Sequence, residues 1–297
     1  MFEGGSVREA TNCRRRGFVS AVFFFLLRRF ASSTSPTDTR PSLAFPELVS
    51  QGLEICNAAL EADVSVEKAE EMLEEAKTNF QSAAALAMFN WGNVYMCQAR
   101  KAMDGGRDPP VEEGGPPGAA IATASAFDEA KARLDTAKGR YEEALRFKPD
   151  FHDASIAIVQ RRYEMSRLLS AAAGLGGEAA PAGQDVATRA KEAEDEFNAA
   201  CAEFQKMYDE LPPEEEKKEK EVKEGEEQAE EPPSVRQQIL VMWGNTLFEH
   251  SQMAAKQSKP FQPLLDEAIA KFNEAGCQKS DVDQALKVHR GLRTDLK

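Results

Sequence analysis

From position 46 onward, apolar residues recur three, four and seven places apart, the spacing that gathers side chains on one face of an α-helix. Nowhere do β-branched residues alternate with period two, as a half-buried strand would require. The clearest unit is an alanine, an aromatic four residues on, and a small or apolar residue three further. It occurs as Ala76/Phe80/Ala83, Ala137/Tyr141/Ala144, Ala200/Phe204/Met207 and Ala268/Phe272/Ala275. Each copy is an amphipathic stripe with a bulky centre. Pro149 and Pro212 stand five residues after the second and third copies, where a proline stops one helix and opens the next element. Breaks of this kind predict helices over 46–62, 65–82, 83–103, 122–148, 151–173, 185–211, 234–257, 261–277 and 281–296, so the fold class is all-α.

A second pattern marks two of these helices. Residues 87–100 (AMFNWGNVYMCQAR) and 239–252 (ILVMWGNTLFEHSQ) share a Trp-Gly-Asn centre with apolar flanks. A glycine inside a helix costs about 1 kcal/mol against alanine, so Gly92 and Gly244 imply a close packing contact. Ser234 and Gln237 form a capping-box pattern that starts the second of these helices directly after Pro232 and Pro233. Three stretches without periodicity interrupt the helices. Residues 104–121 and 174–184 are rich in Gly, Pro and Ala, and residues 212–233 hold ten Glu and four Lys. The first two read as loops, and the third as a solvated spacer lacking any apolar stripe that could join a core.

Together the stripes and the Trp-Gly-Asn helices resemble tetratricopeptide (TPR) repeats. The signature residues in that likeness are Trp91, Gly92, Tyr95, Trp243, Gly244 and Leu247 on first helices. On second helices they are Ala137, Tyr141, Ala144, Pro149, Ala200, Phe204, Pro212, Ala268, Phe272 and Ala275. The resemblance implies a solenoid of antiparallel helix pairs with a concave inner face, here stretched by long loop insertions. More narrowly, AEEMLEEAKTNFQSAAALAMFNWGNVYMCQARK, RYEEALRFKPDFHDA and QILVMWGNTLFEHS resemble the C-terminal TPR-like module of plant proteins that join TPRs to a Phox/Bem domain, a group to which the clumped-chloroplasts protein belongs. That likeness covers roughly residues 47–290 and implies chaperone-linked or organelle-surface scaffolding. TPR co-chaperones that grip the C-terminal carboxylate of heat-shock chaperones use an Asn after the glycine, matched by Asn93 and Asn245. They also use a Lys four residues earlier, where this chain has Phe89 and Val241. An apolar side chain cannot supply that charge-assisted bond. The stretch WGNTLFEHSQ, a loop and EAIAKFNEA also resembles the plant mitochondrial import receptor, which holds presequence helices in an apolar groove.

Charge changes the picture at the N-terminus. The net charge of −13 disfavours nucleic acid as a general partner. Residues 1–40 nevertheless carry seven Arg against Glu3, Glu9 and Asp38, a basic head on an acidic body. The apolar run 18–27 is ten residues long, where a bilayer span needs about 20, so no stable transmembrane insertion is expected. Abundant Arg and Ser, with no acid between Glu9 and Asp38, predict a targeting leader over 1–40, mitochondrial in preference to plastid, with a cytoplasmic location as the alternative. The helical repeat domain then occupies 41–297.

Candidate chemistry is sparse. Cys13, Cys56, Cys97, Cys201 and Cys277 lie far apart without CxxC pairing, and the three histidines are dispersed. They read as small buried thiols in a reducing compartment, with no metal site and no cofactor. His152 is expected at a helix start, and His250 and His289 on exposed faces. No nucleophile, base or phosphate loop is recognisable, so the chain is read as non-catalytic. The expected function is a scaffold or adaptor holding a protein or peptide segment in a TPR-like groove. The alternatives are a chaperone- or import-related co-receptor for client peptides and an accessory subunit of a larger organellar complex. Groove-facing positions one beyond the glycine, and at helical spacing around it, nominate Asn93 and Asn245, with Phe89, Arg100 and Tyr163 as neighbours. An Asn amide can bond a partner's backbone through both its donor and its acceptor.

Overall fold

Described in the computed structural model are residues 45–104, 124–175, 186–212, 233–289 and 291–292. They form eight α-helices and, among the described residues, no strand: α1 (Phe45–Ala59), α2 (Val66–Asp104), α3 (Ala124–Phe147), α4 (His152–Ala172), α5 (Val186–Glu210), α6 (Val235–Lys256), α7 (Gln262–Glu274) and α8 (Lys279–Val288). The leader, most of the two Gly/Pro-rich stretches and the acidic run lie outside the described residues.

Each helix packs chiefly on its neighbours in the chain, with lesser contacts of α2 with α4 and of α4 with α6. Cross-contacts fix the directions. Arg133 on α3 donates to the Gln98 carbonyl on α2, while Tyr141, two turns further along α3, meets Asn93, further back on α2. The two helices therefore run antiparallel. The α3–α4 pair does the same, Ala144 packing with Ala154 while Arg161 reaches the Leu134 carbonyl and Asp135.

All four stripes face inward. Ala76, Ala83, Ala137, Tyr141, Ala144, Ala200, Phe204, Ala268, Phe272 and Ala275 are buried, with Phe80 and Met207 partly so. Three stripe aromatics sit directly over glycines of the preceding hairpin helix. A Cβ on Gly52 would lie 2.9 Å from Phe80, one on Gly92 2.4 Å from Tyr141, and one on Gly244 2.7 Å from Phe272. The glycines are sockets for the rings, which is what offsets their low helix propensity. Helix α4 contains no glycine, and Phe204 instead shares a core cluster with Ile156 and Val159. Ser234 caps α6 as its sequence predicts, its Oγ accepting from the Gln237 N–H at 3.2 Å while the Gln237 side chain accepts from the Ser234 N–H at 2.9 Å.

The structure corrects several expectations. The two helices predicted over 65–82 and 83–103 are one continuous helix, α2, because Ser82-Ala83-Ala84-Ala85-Leu86 holds no proline, glycine or cap that could end it. Its first half packs on α1 and its second on α3. This exposes Trp91: a continuous helix cannot fold back over its own side, so the indole is 44% exposed while its counterpart Trp243 is 3% exposed. The last helix ends at Val288 rather than Leu296. His250 and His289 are buried, not exposed, and Cys97 is exposed. His152 is the first residue of α4, with no side-chain cap bond at that terminus.

Candidate protein-binding face

The alternate helices α2, α4 and α6 meet along one edge. Arg100 on α2 donates from Nε to Glu164 Oε1 on α4 at 2.8 Å, and Arg167, one turn on, donates to Oε2 of the same carboxylate at 3.0 Å. Between α4 and α6, Ser170 Oγ meets Met253 Sδ at 3.1 Å, and Lys256 reaches the Gly174 carbonyl. Helical spacing continues this face through Asn93 and Arg100 on α2, through Tyr163, Arg167 and Ser170 on α4, and through Asn245, Glu249 and Met253 on α6.

The face is strongly polar and partly buried. Burial alone would raise the Glu164 carboxyl, but Arg100 and Arg167 prevail and hold it below the usual carboxylate range. Nη2 of Arg100 is shut from solvent and has no acceptor, as is Nδ2 of Asn245. Asn93 is engaged: its Oδ1 accepts from the Tyr141 hydroxyl at 2.9 Å, and burial pushes that phenol well up, with Arg100 opposing. Phe89 packs against Tyr141 and Phe151, at centroid distances of 5.8 and 5.2 Å, as part of the core edge. Tyr163 is buried beneath Arg167, whose Cζ lies 5.8 Å from the ring, and it feels the charge of Glu249 across the α4–α6 seam. Of the five nominated residues, then, Asn93, Phe89 and Arg100 share the α2 edge, Arg100 reaches Glu164, Tyr163 lies beside Arg167 on α4, and Asn245 stands apart on α6. Glu164, Arg167 and Glu249 belong to the face and were missed, because an ion pair spanning 64 positions leaves no periodic trace in a sequence.

Two other clusters invite a chemical reading. Ser251 Oγ lies 2.9 Å from His289 Nε2, and both residues are buried. Nδ1 of His289 accepts from the Gly291 N–H at 3.2 Å, so the ring proton sits on Nε2 and is given to Ser251. Ser251 in turn donates to the Phe248 carbonyl at 2.6 Å. With its own proton engaged and no basic nitrogen facing it, this serine ties the chain end to α6 and is not set up as a nucleophile. A shallow cleft of about 410 Å³ between α3, α4 and α5 is lined by Lys131, Arg161, Arg162, Met165, Leu169 and Glu196, among others. Its arginines are already paired with Asp135, Glu196 and Glu203. Among the described residues no group of His, Cys, Asp and Glu is placed to hold a metal ion, and no helix is long and apolar enough to cross a membrane.

Sequence comparison finds relatives in plants. The chain is similar to Protein PHOX1 of Arabidopsis thaliana, 31% identical over 268 residues, which is 83% of this chain and 35% of that protein. It is 28% identical to the HSP-interacting protein of Zea mays over 264 residues, 83% of this chain and 34% of the relative. Protein PHOX3 of Arabidopsis thaliana matches over 120 residues at 29% identity, covering 39% of this chain and 14% of that protein. The chain thus spans about a third of the length of the first two. No protein-family model and no solved structure matches it.

Proposed function

We propose that this chain is a non-catalytic scaffold of the TPR-like solenoid type, and that it holds an extended segment of another protein along the face shared by α2, α4 and α6. The observation that carries the reading is the convergence of three alternate helices on one polar edge, where two donors, Arg100 Nη2 and Asn245 Nδ2, are buried without acceptors. A buried donor left unpaired costs roughly 1–3 kcal/mol, and since both atoms are shut from solvent, a partner's backbone carbonyls would relieve that cost once the two side chains turn outward to meet them. Stacking of helices on their chain neighbours supports the solenoid. Ser251 and His289, the pair most like a serine–histidine dyad, are engaged in structural hydrogen bonds.

The test is the double substitution Asn93→Ala/Asn245→Ala, with melting temperature as control. Partner recovery from plant extract should fall. Asn93→Ala removes the acceptor of the buried Tyr141 hydroxyl and should lower melting as well, whereas Asn245→Ala alone should reduce recovery with melting near the wild-type value. Unchanged recovery from a folded double mutant overturns the groove reading.

A specific observation favours a second reading, a chaperone-linked co-receptor: the maize relative is named for interaction with HSP. Phe89 and Val241 stand where a carboxylate clamp has lysines, and what the face offers in their place is the Arg100–Glu164–Arg167 triad, with one positive charge in excess. A chaperone C-terminal peptide that binds with its free carboxylate, and not as the amide, selects this second reading. Equal binding of both forms returns the segment-holding one.

Residues 1–40, outside the described structure, are proposed to contain an organellar presequence over residues 1–30, which would make the chain an organellar adaptor or accessory subunit. A fluorescent fusion of residues 1–45 should enter mitochondria, or failing that plastids, with the mature chain beginning near Ala31. Diffuse cytosolic fluorescence removes the leader from the proposal.

A further inference from the structure

The two Trp-Gly-Asn helices are alike to the level of single side chains, yet one is covered and the other is not. In α6, Gly244 receives Phe272, Lys271 Nζ sits 3.9 Å over the Trp243 ring, and Lys271 pairs with Glu274 at 3.4 Å. In α2, Gly92 receives Tyr141, Arg140 Cζ sits 3.9 Å over the Trp91 ring, and Arg140 pairs with Glu143 at 2.6 Å. The glycine, its aromatic plug, the cation one residue before the plug and the acid three residues after that cation all correspond.

The outer sides of the two helices differ. Met242, Trp243, Thr246 and His250 on α6 are all buried, whereas their counterparts Asn90, Trp91, Val94 and Gln98 on α2 are all exposed, Trp91 by 44% and Val94 by 52%. The cover on α6 is α5. Phe197 stacks on His250 with centroids 5.1 Å apart. Cys201 lies close enough to Trp243 to feel its indole N–H, although that N–H makes no hydrogen bond of normal geometry. Tyr208 donates its hydroxyl to Glu274, with Lys271 5.7 Å from its ring. On α2, among the described residues, no helix takes this place, since the preceding segment is the first half of α2 itself.

We propose that the Trp91–Val94 side of α2, rimmed by Arg140 and Glu143, docks an amphipathic helix from a second polypeptide. That helix would present an aromatic residue, a small residue one turn on and a tyrosine two turns beyond, as α5 presents Phe197, Cys201 and Tyr208 to α6. The small residue lies over the Trp91 indole, the aromatic covers Gln98, and the tyrosine meets Arg140 through its ring and Glu143 through its hydroxyl. No segment of these 297 residues supplies the tyrosine, because all four, Tyr95, Tyr141, Tyr163 and Tyr208, already lie in α2 to α5. The basic residues 1–40 would also bring their arginines against Arg140. Trp91 and Asn93 are about 200° apart around α2, so this surface is separate from the α2–α4–α6 face.

The probe is a synthetic helix of residues 186–211 with a Lys191–Asp195 lactam on its outer flank, so that no affinity is lost to helix formation. It is titrated into the full chain by calorimetry. Saturable binding to the wild-type chain is expected. The Val94→Glu chain, an exposed substitution checked by unchanged melting temperature, should bind at least tenfold more weakly, as should the wild-type chain given a Cys201→Glu peptide. Three results overturn the proposal: no binding up to about 1 mM, a range in which even an interaction of only −4 kcal/mol shows; equal binding to wild-type and Val94→Glu chains, which means the peptide displaces the chain's own α5; or a dimer in sedimentation that Val94→Glu converts to monomer, which assigns the face to a second copy.

Discussion

Substituting Glu164 with alanine is expected to destabilise the chain by about 3–5 kcal/mol at neutral pH, the usual cost of removing one member of a buried ion pair. Glu164 is fully buried, and its two oxygens are taken by Arg100 and Arg167. Without it, two guanidinium groups on neighbouring helices remain close together with no anion between them, and the α2–α4 contact becomes repulsive. The effect carries a pH signature. The carboxyl is held below its ordinary value in the folded chain, so its contribution is fully present above about pH 4.5, near the unfolded carboxyl value. It is lost as pH falls through the lower folded value. Denaturant unfolding should therefore show wild-type and Glu164→Ala chains far apart at pH 7 and drawing together in acid. Replacing the whole triad by Arg100→Met, Glu164→Leu and Arg167→Met should recover most of the loss, because no unpaired charge then remains buried. A single Glu164→Ala change within about 0.5 kcal/mol of wild type, the range of ordinary surface substitutions, would show that the triad is solvated and does not couple the helices.

The all-helical core was largely legible in the sequence, because it rests on local periodicity. The four alanine–aromatic stripes, the glycines under Tyr141 and Phe272, and the cap at Ser234 follow from spacing within a single helix or hairpin. Gly52 was equally legible and was passed over. It precedes Phe80 by 28 residues, the same separation as Gly244 from Phe272, and the structure places a ring on it in the same way. The missed boundary inside α2 has a different cause. A repeat pattern predicts a turn at position 82, but local propensity supplies nothing to make one, and the alanine-rich segment simply continues the helix. Burial of His250 and His289 was illegible because it depends on which helix lies over each ring. His250 is covered by Phe197, from a helix more than 40 residues earlier, and burial presses its imidazole towards the neutral form, with Glu194 opposing. The polar face was half legible. Glycine-relative spacing found Asn93, Arg100 and Asn245 on first helices, but the partners that determine what those side chains can do, Tyr141 and Glu164, come from other helices.

Gly92→Ala should destabilise the chain by about 1–3 kcal/mol, even though alanine is the better helix former by about 1 kcal/mol. Packing opposes propensity here, and the geometry decides which wins. The added methyl carbon would stand 2.4 Å from Tyr141 Cε1 and 2.7 Å from its Cδ1, well inside van der Waals contact. The ring cannot swing away cheaply, since Tyr141 is fully buried among Met96, Ala137 and Leu168 and its hydroxyl is held by Asn93 at 2.9 Å. Gly244→Ala meets Phe272 at 2.7 Å and should behave alike. Phe272 is 7% exposed and has no hydroxyl to anchor it, so it yields more and the loss should be the smaller of the two. Gly139 is the internal control. It lies in the same helix as Tyr141, but a Cβ there would meet nothing within 4 Å, so Gly139→Ala should stabilise by about 0.5–1 kcal/mol through helix propensity alone. Thermal and denaturant melts of the three single variants check the ordering: Gly139→Ala above wild type, Gly244→Ala below it, and Gly92→Ala lowest. If Gly92→Ala instead rises with Gly139→Ala, the glycine is not the socket for Tyr141, and the close approach of α2 and α3 at that turn is wrong.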